Sequence, residues 1–385
     1  MSVYILSGAR TPNGSFMGSL SNVSAPKLGA VAISAALKKA GIAPQQVDEV
    51  FMGNVVTAGV GQAPARQASL FAGLPNSVPC TTLNKVCGSG LKSIITGAQT
   101  ILAGDNELVV AGGMENMSMA PHLLLNSRNG NKFGDGILKD SMQWDGLWDV
   151  YSNRPMGNCA EEAALKYSTR AEQDAFSIES FKRAQAAIKD GIFNNEIAAV
   201  TIKGPKGDNI ISVDEGPGKA NFEKMITLKP AFETNGSITA ANASTINDGA
   251  AAVVLGGEKY KSQASFKIVS YASFAQDPTW FTTAPIEAMN KALTKAHLKI
   301  EQIDLFEINE AFAVVAIAAM KELKLDHSKV NIYGGAVSLG HPIGCSGTRI
   351  IVTLMTAMEN KNAKYGMVAI CIGGGEALSL IIERL

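Results

Sequence analysis

The chain has 385 residues, 46% of them apolar and 18% charged, and its formal net charge is zero. That length suits two or three domains with a sizeable core. The balanced charge excludes the basic footprint of a nucleic-acid or anionic-membrane binder. No apolar stretch reaches the roughly 18 residues a membrane helix needs, and the first ten residues lack the basic and apolar regions of a signal peptide. The C-terminus, Ile382-Glu383-Arg384-Leu385, is not a peroxisomal address. The five cysteines (80, 87, 159, 345 and 371) are odd in number, scattered, and never spaced C-x-x-C. Neither a disulfide framework nor a metal site is expected, and free thiols point to a reducing, cytoplasmic setting.

Taken in chain order, residues 36–42 read as the end of an amphipathic helix, followed by a turn and the apolar strand Val50-Phe51-Met52. The run Asn84-Lys85-Val86-Cys87-Gly88-Ser89-Gly90-Leu91 then describes extended chain, a glycine-flanked elbow and a helix start. Residues 108–113 form a buried strand ending in Gly112-Gly113. Residues 126–149 are rich in Asn, Gly, Asp and Met, and a strong helix is expected from Thr169 to Gly191. A looser, basic and glycine-rich part covers 203–229.

The second half repeats the first. Residues 36–48 align without a gap on 292–304, and Cys87-Gly88-Ser89-Gly90 aligns on Cys345-Ser346-Gly347. In both copies a helix and then a buried strand ending in glycines follow, the second strand being 367–373. A period this long is a duplicated α/β domain rather than a solenoid. Residues 118–244 have no counterpart, so they read as an inserted lobe, and the seam between the halves is the expected ligand site.

Four residues carry candidate chemistry. Cys87, pushed out by the elbow at a helix N-terminus, is biased toward thiolate, the form that attacks carbonyls; the plainer reading is a small core residue. His341, held between Gly340 and Pro342, suits a general base, or is an ordinary loop histidine. His297 and His327 look solvated. Cys371 ends an apolar strand before Gly373-Gly374-Gly375 and is either a second thiol on the edge that carries Cys87 or a buried structural cysteine. Asn309 follows a strand, as a helix cap or as an amide that fixes a water or a substrate oxygen. Together they make an acyl-transfer set in which His341 takes the Cys87 proton, Cys371 abstracts a proton alpha to a carbonyl, and Asn309 with glycine N–H groups holds oxyanions. No dinucleotide-binding glycine fingerprint or P-loop is present.

The motifs 84–90, 111–118, Asn309-Glu310-Ala311-Phe312, 334–344 and 371–375 resemble those of the thiolase family over nearly the whole chain. The resemblance implies an α/β fold of two duplicated halves in five layers (α-β-α-β-α) with an inserted loop domain. The halves would be 1–117, with a return at 245–265, and 266–385; the loop domain would be 118–244. It implies homodimers or homotetramers, no resident cofactor, and acetyl-CoA, acetoacetyl-CoA and CoA as substrates. It implies ping-pong acyl transfer, a reversible condensation of two acetyl-CoA through an acyl-Cys87. One oxyanion hole would be His341 with a water on Asn309, the other the N–H groups of Cys87 and Gly373. CoA contacts carried over are Lys219, Asn221, Lys224, Ala240, Ser244, Phe312 and Met156, the lysines being able to pair with phosphates.

The chain departs from that pattern in several places. Residues 157–174 and 239–249 look most like members acting on acetoacetyl-CoA, but Pro155 is found in some broad-range 3-ketoacyl-CoA thiolases, so degradative thiolysis over a wider chain length is the alternative. Phe181 replaces the Tyr of potassium-responsive relatives, and Glu162 an Asn. Glu376 follows the glycine triplet where a small or apolar residue is common, and would raise the Cys371 pKa if the two faced each other. A decarboxylating ketoacyl synthase would not need Cys371, and a non-catalytic scaffold would not need all four residues.

Overall fold

The computed structural model describes residues 2–130, 132–205 and 207–385. The first half runs β1 (Val3–Arg10), α1 (Ala25–Ala40), β2 (Glu49–Gly53), α2 (Pro64–Phe71), β3 (Cys80–Leu83), α3 (Ser89–Ala103) and β4 (Leu108–Asn116). The chain then leaves the sheet for a lobe containing α4 (Met156–Tyr167) and α5 (Arg170–Lys189), and returns as β5 (Asn247–Gly256). The second half runs β6 (Phe266–Ala275), α6 (Ala284–Ala296), β7 (Leu305–Ile308), α7 (Ala313–Leu323), α8 (Ser346–Lys361), β8 (Tyr365–Ile372) and β9 (Glu376–Arg384).

The main sheet has the order β3-β2-β4-β5-β1-β6-β9-β8-β7, so the repeat read in the sequence is a repeat of topology. In the first half β2 is parallel to β3 and β4, while β4, β5 and β1 are antiparallel neighbours. In the second half β7 is parallel to β8, and β8, β9 and β6 are antiparallel neighbours. A single parallel bridge, Phe306 to Val330, stands where β3 stands in the first copy. The copies join edge to edge through β1 and β6, with Val3 opposite Ile268.

Side-chain alternation builds the layers. Along β5, Ala251, Val253 and Leu255 face a central core with α3 and α8, and Ala250, Ala252 and Val254 face α1 and α2. Along β8, Val368, Ile370 and Ile372 face the same central core, and Met367, Ala369 and Cys371 face α6 and α7. The result is helix, sheet, helix, sheet, helix, with both faces of the central strands β1, β4, β5 and β8 covered. That is why the strands read as nearly continuous apolar runs. The central helices meet at their N-termini with no room for side chains: a Cβ on Gly90 would lie 2.7 Å from Thr348 Oγ1 and 3.0 Å from the Gly344 carbonyl.

In the lobe, α5 begins where its capping box requires. Thr169 Oγ1 accepts from the Glu172 N–H at 3.2 Å, and the Glu172 carboxylate accepts from the Thr169 N–H at 2.7 Å. The helix ends at Lys189, and Gly191 turns the chain at φ 70°. The lobe is tied to β1 by the buried Arg10, which meets Glu196 at 2.6 Å and Asp214 at 2.7 and 2.9 Å. The described residues of 126–149 form short pieces, including Leu138–Asp140 paired with His122–Leu124 and the helix Ser141–Gly146. No helix among the described residues is long and apolar enough to cross a membrane.

Candidate active site

Cys87 sits between β3 and α3, and Val86 makes the turn at φ 45°. A β-branched residue in the left-handed region is strained, and only a packed surround holds it there. Ser89 locks the elbow: its hydroxyl accepts from the Lys85 N–H at 2.8 Å and donates to the Val86 carbonyl at 2.7 Å. The backbone N–H groups of Cys87 itself and of Gly373, from the other half, lie near enough to the Cys87 sulfur to favour its thiolate. Burial nevertheless dominates and pushes the thiol up to about 11. The expected bias toward thiolate is therefore corrected. Desolvation of the anion outweighs the two N–H donors, and the resting group is a neutral thiol.

His341 is 6% exposed and faces the same cavity as Cys87. Its backbone N–H is held by Asn247 Oδ1 at 3.1 Å and by the Thr245 carbonyl at 3.2 Å. Its Nδ1 lies 2.5 Å from Ser346 Oγ, and Ser346 donates its own proton to the Pro342 carbonyl at 2.9 Å. Ser346 can then only accept from Nδ1–H, so Nε2 carries the lone pair. No protein group among the described residues partners Nε2. Burial, with Arg349 adding to it, lowers the ring pKa to about 3, which keeps the imidazole neutral.

Cys371 is fully buried on β8, and burial followed by the neighbouring Cys87 raises its pKa well above the ordinary thiol value. It lines neither cavity described below but lies close enough to couple to Cys87. Asn309 is fully buried, and neither amide atom has a hydrogen-bond partner among the described residues. It is not the cap of α7, a place taken by Phe312. Gly373 opens the β8–β9 turn, 3.6 Å from Met156 Cε to the position a Cβ would occupy. Cys345, the repeat-mate of Cys87, is sealed in the central core, and burial pushes it up to about 12.

An inner cavity of about 270 Å³ holds Cys87, His341, Gly373, Met156, Phe312 and Ser244. An outer cavity of about 720 Å³ holds Lys219, Asn221, Lys224, Ala240 and Ser244, with Phe181 on its wall. The two share Phe232, Ala243, Ser244, Thr245 and Ile246, so they form one path from the lysines to the thiol. Asn221 also caps the short helix Phe222–Met225 by accepting from the Lys224 N–H at 3.0 Å.

Of the departures, Pro155 lines the inner cavity and Glu162 pairs with Arg154 at 3.4 Å. Glu376 is corrected: its carboxylate meets the Lys85 ammonium, and the rise at Cys371 comes from burial and Cys87. His327 is also not free in solvent, since it stacks on Phe176 with centroids 5.0 Å apart. Sequence reasoning missed Ser346 and Glu115. Glu115 accepts from the N–H groups of Val55, Val56 and Gly344 and from the Asn54 amide, which pins the His341 loop to the first half. A signal for Ser346 was present, because the repeat aligns residues 345–347 with the elbow.

Residues 3–259 match the family model described as thiolase, N-terminal domain, and residues 262–384 match thiolase, C-terminal domain. The chain belongs to the thiolase family and has its fold. It is 51% identical to acetyl-CoA acetyltransferase 2 of Arabidopsis thaliana over 391 residues, covering 100% of this chain and 97% of that protein. It is 50% identical to an acetyl-CoA acetyltransferase of Cupriavidus necator, covering 99% of each. Among solved structures, the Acat5 thiolase from Ascaris suum in complex with coenzyme A matches with a TM-score of 0.94 at 44% identity, covering 100% of both chains.

Proposed function

We propose that the protein is an acetyl-CoA C-acetyltransferase that interconverts two acetyl-CoA with acetoacetyl-CoA and CoA. The observation that carries this is the Cys87 sulfur, flanked by N–H groups from both halves at the inner end of a path whose outer end bears Lys219 and Lys224.

The Cys87 sulfur attacks the thioester carbonyl while its proton passes to His341 Nε2. A thiol near 11 and an imidazole near 3 do not exchange a proton at rest. The transfer is therefore coupled to attack, when the developing oxyanion is held by the protonated Nε2 and by a water on Asn309. Collapse breaks the C–S bond to CoA. The leaving thiolate takes the proton of Cys371, which becomes the base of the next half-reaction. The Cys371 thiolate then removes a methyl proton from the second acetyl-CoA. The carbanion attacks acetyl-Cys87, whose oxyanion lies between the N–H groups of Cys87 and Gly373, and the departing Cys87 sulfur recovers its proton from His341 Nε2. CoA thioesters are substrates, and no resident cofactor is needed.

The inner chamber, walled by Met156, Phe232, Phe281 and Phe312, supports short acyl groups over the broader thiolysis that Pro155 suggests. An edge strand at β3, and exposed Leu124, Leu125, Phe133 and Ile137, support a homodimer or homotetramer. Five free thiols support a reducing, cytoplasmic setting. The test is the acylation of Cys371→Ala by labelled acetyl-CoA. Label is expected on Cys87 without acetoacetyl-CoA formation; an unlabelled protein refutes the division of roles.

A further inference from the structure

The two N–H groups at the Cys87 sulfur belong to loops far apart in sequence. One is the strained elbow at 84–88; the other is the turn at 373–375, where Gly374 and Gly375 have φ of 91° and 84°. Neither loop is a regular element, yet an oxyanion hole works only if its donors keep their spacing. Lys85, two residues before Cys87, reaches across to Glu376, the first residue after the glycine turn. Their side chains are 25% and 36% exposed, and neither lines the inner or the outer cavity. Each sits on a braced backbone. The Lys85 N–H is fixed by Ser89 at 2.8 Å, and Glu376 pairs in register with Ile372 and Ala275.

We propose that the Lys85–Glu376 ion pair is a positioning clamp that holds the nucleophile elbow of one half against the glycine turn of the other, and so sets the separation of the Cys87 and Gly373 N–H donors. The clamp rests on the reaction assigned above. It acts through those donors and touches no substrate, so it governs turnover rather than binding. Being half-exposed, it weakens as salt screens it.

The experiment uses the full-length enzyme in thiolysis of acetoacetyl-CoA, at low salt and at high potassium chloride. Glu376→Gln and Lys85→Met are each expected to lower kcat about threefold to tenfold with KM within about twofold. The double variant should be no slower than either single one, and the exchange of Lys85→Glu with Glu376→Lys should recover most of the loss. High salt should lower kcat of the wild type toward that of the single variants while leaving kcat of those variants unchanged. Thermal midpoints identify any folding defect. If a single variant unfolds, Glu376→Asp, which keeps the charge but withdraws it by one methylene, should show an intermediate loss. Additive losses, a change confined to KM, or an exchange as slow as the single variants overturns the clamp. A wild type unable to thiolyse acetoacetyl-CoA overturns the assigned reaction instead.

Discussion

Ser346 Oγ stands between His341 Nδ1, at 2.5 Å, and the Pro342 carbonyl, at 2.9 Å, so one hydroxyl decides which nitrogen of the imidazole keeps a free lone pair. Ser346→Ala removes that choice. We expect kcat to fall about 10- to 100-fold with KM unchanged. Steady-state kinetics beside a thermal melt make the check, since a merely structural role would lower the unfolding midpoint and spare the rate per folded molecule.

The protonation state of Cys87 is open to direct measurement. With the folded-state thiol raised to about 11, the neutral form prevails at pH 7, and the thiolate fraction grows as pH rises toward that value. Alkylation of Cys87 by iodoacetamide in the free enzyme should therefore accelerate about tenfold per pH unit between roughly 7 and 9. A rate already level above pH 7 would instead mark a thiolate stabilised by the start of α3.

Lys219 and Lys224 lie on the outer cavity, away from the reacting atoms. Replacing both by Ala should raise KM for acetoacetyl-CoA about tenfold and leave kcat within about twofold. The same variant should process acetoacetyl-pantetheine, which lacks the nucleotide phosphates, as the wild type does. Equal losses on both substrates would remove the phosphate role.

Arg10 is a stability prediction. Its guanidinium is fully buried, and its loss strands Glu196 and Asp214 without their cation. Arg10→Met should cost about 3–5 kcal/mol, read as a lowered midpoint of denaturant unfolding. The lobe should loosen from β1 first, with earlier proteolysis between residues 190 and 215.

Much of the architecture is legible in the sequence. The alignment of 36–48 on 292–304 foretold equal topology in the two halves, because a duplicated pattern of apolar faces can be buried in only one way twice. The opening at Ser168-Thr169 and the stop at Gly191 placed α5, since such signals are local, and the capping box at Thr169 is the physical form the start takes. The helix at Met156–Tyr167 was not anticipated; it starts after Pro155 with no side-chain cap, so little in its local sequence announces it.

The sequence by itself determined the elbow at Cys87, the order of the repeated elements and the four residues proposed to carry the chemistry, because each is written in a short run of residues. Only the tertiary structure decided that the thiol rests protonated, that Ser346 sets the tautomer of His341, that Asn309 buries an amide with no partner among the described residues, and that Glu376 faces Lys85 rather than Cys371. Those properties depend on how much water a group has lost and on what has been folded against it. Most of the partners concerned lie in the other half of the chain, which no local pattern brings together.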